Sequence, residues 1–136
     1  MNTPHPALTE GAVLAPQTFA ITRADLVAYA AASGDHNPIH QDEAVALAVG
    51  LPGVIAHGMY TMALVGRAVA AWSGDAAVLE LGCKFTAPVV VPAEGAAEVT
   101  VAGSVKSVAD GRITLALEVT SGGSKVLGAP KAVLRG

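Results

Sequence analysis

The densest group of reactive side chains in the sequence lies between Ser33 and His40, which reads Ser-Gly-Asp-His-Asn-Pro-Ile-His. Asp35 and His40 provide a carboxylate and an imidazole five residues apart, with Pro38 between them. Because proline disfavours a helical conformation for the residue before it, the segment bends and can bring the two side chains to one point. Two groups of different pKa at one point can hold a water molecule and transfer its protons. The alternative is an Asx-type turn that only connects two helices.

Two histidines in the same segment, His36 and His40, raise the question of a metal site. A His-x-x-x-His pair binds a metal ion when both side chains lie on one face of a helix. Pro38 stands between the two histidines and disrupts such a helix. The sequence therefore predicts no metal site and places the side chain of His36 in solvent.

A second segment with possible chemistry is Ala56-His57-Gly58-Met59, where a loop leads into a long apolar helix. The first N–H groups of a helix lack intrahelical partners, and the helix dipole makes this end positive. With glycine at position 58, a ligand oxygen can approach the backbone without meeting a side chain. Such a donor beside a proton-transferring pair suits reactions at a carbon next to a carbonyl group. The alternatives are that Gly58 only eases entry into the helix and that His57 only holds the loop.

The chain has two halves with different hydrophobic periodicity, and the elements of these halves must position both segments. The first half predicts a short strand and three helices, at residues 18–21, 23–32, 42–49 and 59–72. The second half alternates like half-buried strands and predicts them at residues 78–85, 96–106, 112–120 and 125–134. Because the helices precede an antiparallel meander, the fold class is α+β. One long helix packed on a curled antiparallel sheet is the simplest arrangement.

Several element boundaries carry their own signals. Thr22, followed three residues later by Asp25, predicts a cap at the start of the first helix, and Gly34 predicts its end. Two residue pairs lie between strands, where hairpin turns need positive φ: Asp110-Gly111 and Gly122-Gly123. The helix at 59–72 is nearly apolar all round, which predicts burial on most sides. Three small residues of this helix favour close approach to the sheet: Ala63, Gly66 and Ala70.

The composition fits one compact domain. The chain has 136 residues, 52% hydrophobic and 14% charged, and this excludes a disordered chain. A net charge of −3 argues against nucleic acid as a partner. Arg67 interrupts the most apolar stretch, which is also shorter than the roughly 20 residues of a membrane span, so no membrane insertion is predicted. With no signal-peptide pattern at its start, the chain is expected in the cytoplasm.

The sequence also predicts the domain limits and the roles of its few cysteine and aromatic residues. Residues 1–7 are predicted to be a flexible N-terminal tail, and residues 8–136 a single domain. Cys83 is the only cysteine, which excludes an internal disulfide and a thiolate metal cage. Its place in a predicted strand favours a small buried hydrophobe over a nucleophile. Aromatic residues make up only 4% of the chain, so the bulk of the core must come from Ala, Val and Leu.

The segment from Tyr29 to His40, followed by Ala46, resembles the hydratase 2 signature. This signature is found in MaoC-like dehydratases and (R)-specific enoyl-thioester hydratases. The segment from Ala56 to Met59 also resembles the start of the family's central helix, and the resemblance runs from about residue 8 to residue 134. One departure is Ala32, where the signature usually has a larger aliphatic residue or glycine. Within the family, the sequence most resembles catalytic subunits of (3R)-hydroxyacyl-ACP dehydratases.

The resemblance implies a hot-dog fold and a hydro-lyase activity. The reaction is the reversible syn addition of water to a trans-2-enoyl thioester, which gives a (3R)-3-hydroxyacyl thioester. The family roles make Asp35 and His40 the acid–base pair and give the N–H of Gly58 to the thioester oxygen. Asn37 and His57 are implied to bind substrate or support the loop. The assignment of the base stays open, because closely coupled groups titrate as a pair.

The resemblance also implies the partners of the chain. The substrate is an acyl thioester of coenzyme A or of acyl carrier protein, and no cofactor or metal is implied because the thioester activates its own α-carbon. A homodimer or a heterodimer with a related hot-dog subunit is expected. Two other functions stay open: an acyl-thioesterase, and a non-catalytic acyl-thioester-binding or scaffolding subunit of a fatty-acid or polyketide synthase.

Overall fold

The first helix begins and ends at its predicted caps. In the computed structural model, which describes residues 8–136, α1 spans Arg23–Ser33. The hydroxyl of Thr22 accepts a hydrogen bond from the N–H of Asp25 (3.2 Å), and the Asp25 carboxylate accepts one from the N–H of Thr22 (2.8 Å). Gly34 ends the helix with a φ of 80°, in the left-handed region that glycine adopts at low cost.

The other elements follow the predicted change from helices to strands. The tail predicted for residues 1–7 lies outside the described residues. Within residues 8–136 the remaining elements are, in chain order, β1 (Val13–Ile21), a 3₁₀ turn (Pro38–His40), α2 (Glu43–Ala48), α3 (Gly58–Ser73), β2 (Val78–Phe85), β3 (Ala97–Ala109), β4 (Arg112–Ser121), β5 (Ser124–Lys125) and β6 (Leu127–Arg135). No helix in this range is long and apolar enough to cross a membrane.

The strands form one antiparallel sheet that curls around α3. Its order is β1-β3-β4-β6-β2, with β5 paired to β4. The strands β1 and β2 lie at opposite ends of this order, yet both contact α3. A flat sheet cannot bring both of its ends to one helix, so the sheet bends around it. The α+β hot-dog arrangement expected from the sequence is therefore confirmed.

The two predicted hairpin turns are present. Asp110 and Gly111 have φ values of 54° and 73°, and they connect the paired residues Ala109 and Arg112. Gly122 and Gly123 have φ values of 60° and 80° and connect β4 to β5. Positive φ at both central positions matches the right-handed twist of the flanking strands.

The helix α3 is buried on one face only, so the prediction of burial on most sides was wrong. Its buried residues recur at helical spacing: Thr61, Leu64, Val65, Ala68, Val69, Trp72 and Ser73. Ala63 and Ala70 are exposed, and of the three small residues only Gly66 faces β2, where an ideal Cβ would lie 3.7 Å from Leu81. The larger side chains direct one face into the curled sheet, and the alanines remain on the other.

Two predicted strands differ markedly from the observed ones. The first begins at Val13 rather than at residue 18, because a bulge between Leu14 and Gln17 interrupts the alternation of the sequence. The strand predicted at 125–134 is divided at Val126, whose carbonyl accepts bonds from the N–H groups of residues 86 and 87. That loop comes from a distant part of the chain and takes the place of a regular strand neighbour.

Candidate active site

The loop after α1 is held by three consecutive side-chain hydrogen bonds. The hydroxyl of Ser33 accepts from the N–H of Asp35 (3.1 Å), and the Asp35 carboxylate accepts from the N–H of Asn37 (3.2 Å). The side-chain oxygen of Asn37 accepts in turn from the N–H of Ile39 (3.2 Å). These bonds form the Asx-type turn that the sequence allowed, and the same turn directs Asp35 towards His40.

His40 is held at the end of this loop in a defined orientation. Its side chain is buried, and its Nδ1 lies 2.7 Å from the carbonyl oxygen of Ile55. Because a carbonyl oxygen can only accept, Nδ1 carries the proton in the neutral ring. The lone pair of neutral His40 is therefore on Nε2, which is the atom available for proton transfer.

His57 lies directly behind His40. The two imidazoles are stacked with their centroids 3.8 Å apart, and Tyr29 meets His57 edge-on with centroids 4.8 Å apart. The Nε2–H of His57 donates to the backbone carbonyl of Asp35 (3.1 Å). Its Nδ1 is buried and has no hydrogen-bond partner in the described part of the chain. The pKa of His57 is lowered, chiefly because burial disfavours its charged form. The hydrogen bond to the Asp35 carbonyl partly opposes this decrease, and repulsion by a charge on His40 adds to it.

Asp35, His40 and His57 each present one potential metal-ligand atom, and these three atoms lie within 4.8 Å of one another. The rings of His40 and His57 are, however, only 22° from parallel. An imidazole binds a metal in the plane of its ring, so two stacked rings do not share one ion well. The geometry suits proton transfer better than metal binding. His36 is exposed and stands outside this group.

Gly58 places a backbone donor beside this group. It is the first residue of α3, and His57 provides no side-chain cap. The carbonyl of His57 accepts from the N–H groups of Tyr60 and Thr61. No acceptor for the N–H of Gly58 is found among residues 8–136. This donor is therefore free to bind a ligand oxygen.

A cavity of about 700 Å³ connects these groups. Asp35, His40 and Gly58 contribute to its wall, and most of the rest is apolar, including Leu51, Ile55, Met59, Val89, Val126 and Leu127. Asn37 and His57 do not line the cavity, and they act on its lining through the loop and through His40. An apolar cavity with a few converging polar groups suits a small molecule with one reactive end.

Sequence reasoning missed two aromatic residues of this cavity, Tyr29 and Phe85. Tyr29 stands on the last turns of α1 and begins the segment that resembles the hydratase 2 signature, which is the signal that could have indicated it. Phe85 ends β2, and its ring occupies the direction in which a side chain at position 58 would point. Nothing in the local sequence of either element links residues 58 and 85.

Cys83 lies outside the cavity wall. It is half-buried, and its thiol lies 3.3 Å from the sulfur of Met62. Burial raises the pKa of the Cys83 thiol, so it remains protonated rather than becoming a thiolate nucleophile. This agrees with the interpretation of Cys83 as a small packing residue.

The sequence matches a known family over most of its length. The model of the MaoC like domain matches residues 6–122. The chain belongs to the MaoC-like domain family. The resemblance found in the sequence is thereby confirmed.

Several known proteins are similar to this MaoC-like chain. It is 45% identical over 73 residues to 3-hydroxyacyl-thioester dehydratase X of Mycobacterium tuberculosis. The matched residues make up 54% of the chain and 25% of that protein. A structure described as a MaoC-like dehydratase superposes with a TM-score of 0.91 and 34% identity, over 98% of the chain and 43% of its own length. The unliganded R-hydratase PhaJ1 of Pseudomonas aeruginosa superposes with a TM-score of 0.82 and 30% identity, over 98% of the chain and 86% of its own length.

The lengths of these proteins differ from that of the chain. The chain spans about a quarter of 3-hydroxyacyl-thioester dehydratase X and less than half of the protein in the MaoC-like dehydratase structure. It spans most of the R-hydratase. The domain described here therefore corresponds to one part of the first two proteins and to nearly all of the third.

Proposed function

We propose that this MaoC-like domain is a hydro-lyase that interconverts trans-2-enoyl and (3R)-3-hydroxyacyl thioesters. The observation that carries the proposal is the convergence of three groups on one apolar cavity: the Asp35 carboxylate, the Nε2 of His40 and the free N–H of Gly58. The dehydratase and R-hydratase similarities support the same reaction class.

Each of the three groups has a defined task in the hydration direction. Asp35 and His40 hold one water molecule and remove its proton as the oxygen bonds to C3 of the enoyl group. The electrons of the C2=C3 bond move towards the thioester oxygen, and the N–H of Gly58 stabilises the negative charge that develops there. A proton is then delivered to C2 from the same pair, which gives syn addition. Dehydration is the reverse.

The hydrogen bonds in the loop limit which atoms can carry protons. Nδ1 of His40 is committed to the Ile55 carbonyl, so Nε2 exchanges the proton. One oxygen of Asp35 accepts from the N–H of Asn37. The acid and base roles are therefore proposed for the pair and are not divided between the two residues. The thioester makes its own α-carbon acidic, so this reaction needs no redox cofactor.

The chain is also proposed to form a dimer through the free edge of β2. This strand ends the sheet, and two apolar side chains near its start are exposed, Val78 and Leu79. An exposed strand edge with apolar side chains is a template for pairing with another chain. A second copy or a related hot-dog subunit can supply that strand. The cytoplasmic location expected from the sequence stays a prediction.

The proposed reaction is tested with purified protein and crotonyl-CoA. The loss of ultraviolet absorbance of the conjugated enoyl thioester reports hydration, and a parallel thiol assay reports hydrolysis. We expect absorbance to fall without release of thiol. Release of free coenzyme A would instead indicate a thioesterase. Saturable binding without turnover would indicate a non-catalytic binding subunit, and either result would contradict the proposal.

A further inference from the structure

Phe85 stands against Gly58, the proposed oxyanion donor, and is not one of the three groups proposed to carry out the reaction. We infer that Phe85 is a substrate-positioning residue whose ring holds the flat enoyl thioester against the N–H of Gly58, and that this ring is the reason for glycine at position 58. The inference rests on the proposed function, since it assigns a partner surface to the same thioester.

A side chain at position 58 would meet the ring of Phe85 at close range. An ideal Cβ on Gly58 would lie 3.0–3.2 Å from three carbon atoms of the Phe85 ring. Few real Cβ atoms have contacts this short, so a side chain at position 58 would require the ring to shift by a few tenths of an ångström. The space beside Gly58 is therefore filled by Phe85 and is not left open for a ligand. This changes the reason that the sequence suggested for the glycine.

The ring is also placed to meet a ligand. Phe85 lines the cavity together with Gly58 and Met59, and 57% of its surface is exposed. Met59 beside it is 59% exposed. Large apolar side chains that remain exposed at the mouth of a cavity are available to cover an apolar ligand. Since the chain contains only two phenylalanines, one exposed at this place is a notable use of an aromatic side chain.

The chemistry of the substrate fits this surface. A conjugated enoyl thioester is flat, with its carbonyl oxygen at one edge, and aromatic rings pack well on flat π-systems. A ring beside the N–H of Gly58 also excludes water from the hydrogen bond to the developing oxyanion. Hydrogen bonds to a developing charge are worth more in such a water-poor site. Phe85 thus acts through orientation and through the environment of the donor.

A double-mutant cycle on these two residues tests the inference. The proteins are wild type, Phe85→Ala, Gly58→Ala and the double variant, and each is assayed for crotonyl-CoA binding by calorimetry and for hydration kinetics. Phe85→Ala is expected to lower kcat/KM by about tenfold, near the upper end for an aromatic packing contact. The kcat/KM of Gly58→Ala is also expected to fall, because the new methyl group shifts the ring that lies against it.

The decisive quantity is the effect of Gly58→Ala when the ring is already absent. If the ring imposes the glycine, the double variant keeps a kcat/KM within about threefold of Phe85→Ala alone, a strongly non-additive result. If the two losses multiply, the ligand itself needs the space at position 58 and the inference is wrong. An unchanged kcat/KM in Phe85→Ala would also overturn it.

Controls separate positioning from folding and from assembly. Phe85→Tyr keeps the ring and should keep the activity of wild type. Val108→Ala is the matched control and should also behave like wild type, since it trims an apolar side chain that is 46% exposed and outside the cavity wall. Mass by light scattering and melting temperature should be the same in Phe85→Ala as in wild type. A change of mass together with lost activity would assign Phe85 to the dimer contact instead. If wild type binds crotonyl-CoA without hydrating it, the proposed function fails, and the same cycle in binding affinity still decides the role of Phe85.

Discussion

The imidazole of His40 is stacked on that of His57, with ring centroids 3.8 Å apart. One nitrogen of each ring lies at hydrogen-bonding distance from a backbone carbonyl, that of Ile55 for His40 and that of Asp35 for His57. The two carbonyls fix both tautomers and leave the free lone pair of His40 on Nε2. One face of the His40 imidazole is thus covered by a second ring, which does not line the cavity.

The buried His57 makes the stability of the protein depend on pH. Its pKa in the folded protein is lowered below the ordinary 6.5, chiefly by burial. Below pH 6.5 the unfolded chain therefore binds a proton that the folded chain does not, so the free energy of unfolding falls as the pH falls through this window. We expect urea to unfold the wild type more easily at about pH 5.5 than at about pH 7.5.

The variant His57→Gln isolates this contribution. Glutamine can still donate to the carbonyl of Asp35 but does not titrate. The free energy of unfolding of the variant should therefore fall less on acidification than that of wild type. The exposed His36 provides the matched control, and His36→Gln should keep the wild-type pH dependence. Equal losses in wild type and His57→Gln would show that His57 does not carry the effect.

The pairing of β3 with β4 sets a strict limit on residue size at Gly103. An ideal Cβ there would lie 2.5 Å from the carbonyl oxygen of Ala116 and 2.8 Å from a methyl group of Leu117. Gly103→Ala must displace backbone, and we expect a loss of about 1–3 kcal/mol in the free energy of unfolding. Gly66→Ala is the control, since its Cβ would meet only Leu81 at 3.7 Å.

The two glycine variants are expected to act in opposite directions. Alanine in the helix at position 66 should stabilise the protein by up to about 1 kcal/mol, because glycine is the weaker helix former. Urea unfolding curves of both variants and wild type give the comparison. Similar midpoints for Gly103→Ala and Gly66→Ala would show that the strand contact is not limiting.

The free edge of β2 predicts the oligomeric state. Light scattering at micromolar concentration should give the mass of a dimer, homodimeric when the chain is purified alone. Leu79→Asp places a charge on the exposed edge and should produce a monomer. Val13→Asp, at the opposite end of the sheet on a residue 83% exposed, should leave the dimer intact. A monomeric wild type would contradict the assignment of this edge.

Local signals in the sequence predicted the loop that holds the proposed acid–base pair. The bend at Pro38, the capping pair at Thr22 and Asp25 and the end of α1 at Gly34 each depend on neighbours within a few residues. Such local preferences survive folding because the rest of the protein does not oppose them. The meeting of Asp35 with His40 follows from the same turn, since its hydrogen bonds connect residues only two positions apart.

Long-range contacts decided what the sequence did not predict. The stack of His40 on His57 joins two loops, and the ring of Phe85 reaches Gly58 from the end of β2. Val126 leaves the strand because a loop about forty residues earlier uses its carbonyl. In each case the partner is distant in sequence, and neither periodicity nor spacing indicates it.

The proposed reaction depends on Asp35 and His40 acting as one proton-transferring pair. Asp35→Asn keeps the size of the side chain and an oxygen that can accept from the N–H of Asn37, so the loop should retain its structure. His40→Ala removes the imidazole whose Nε2 is proposed to exchange the proton. His36→Ala, in the same loop but exposed, is the control and should behave like wild type.

The most direct measurement is the rate of crotonyl-CoA hydration by these variants, with folding checked by circular dichroism. Loss of a general acid–base group is expected to lower the rate by about 10²- to 10⁴-fold, so Asp35→Asn and His40→Ala should each be folded and nearly inactive. Near-normal hydration by either folded variant would contradict the proposed mechanism.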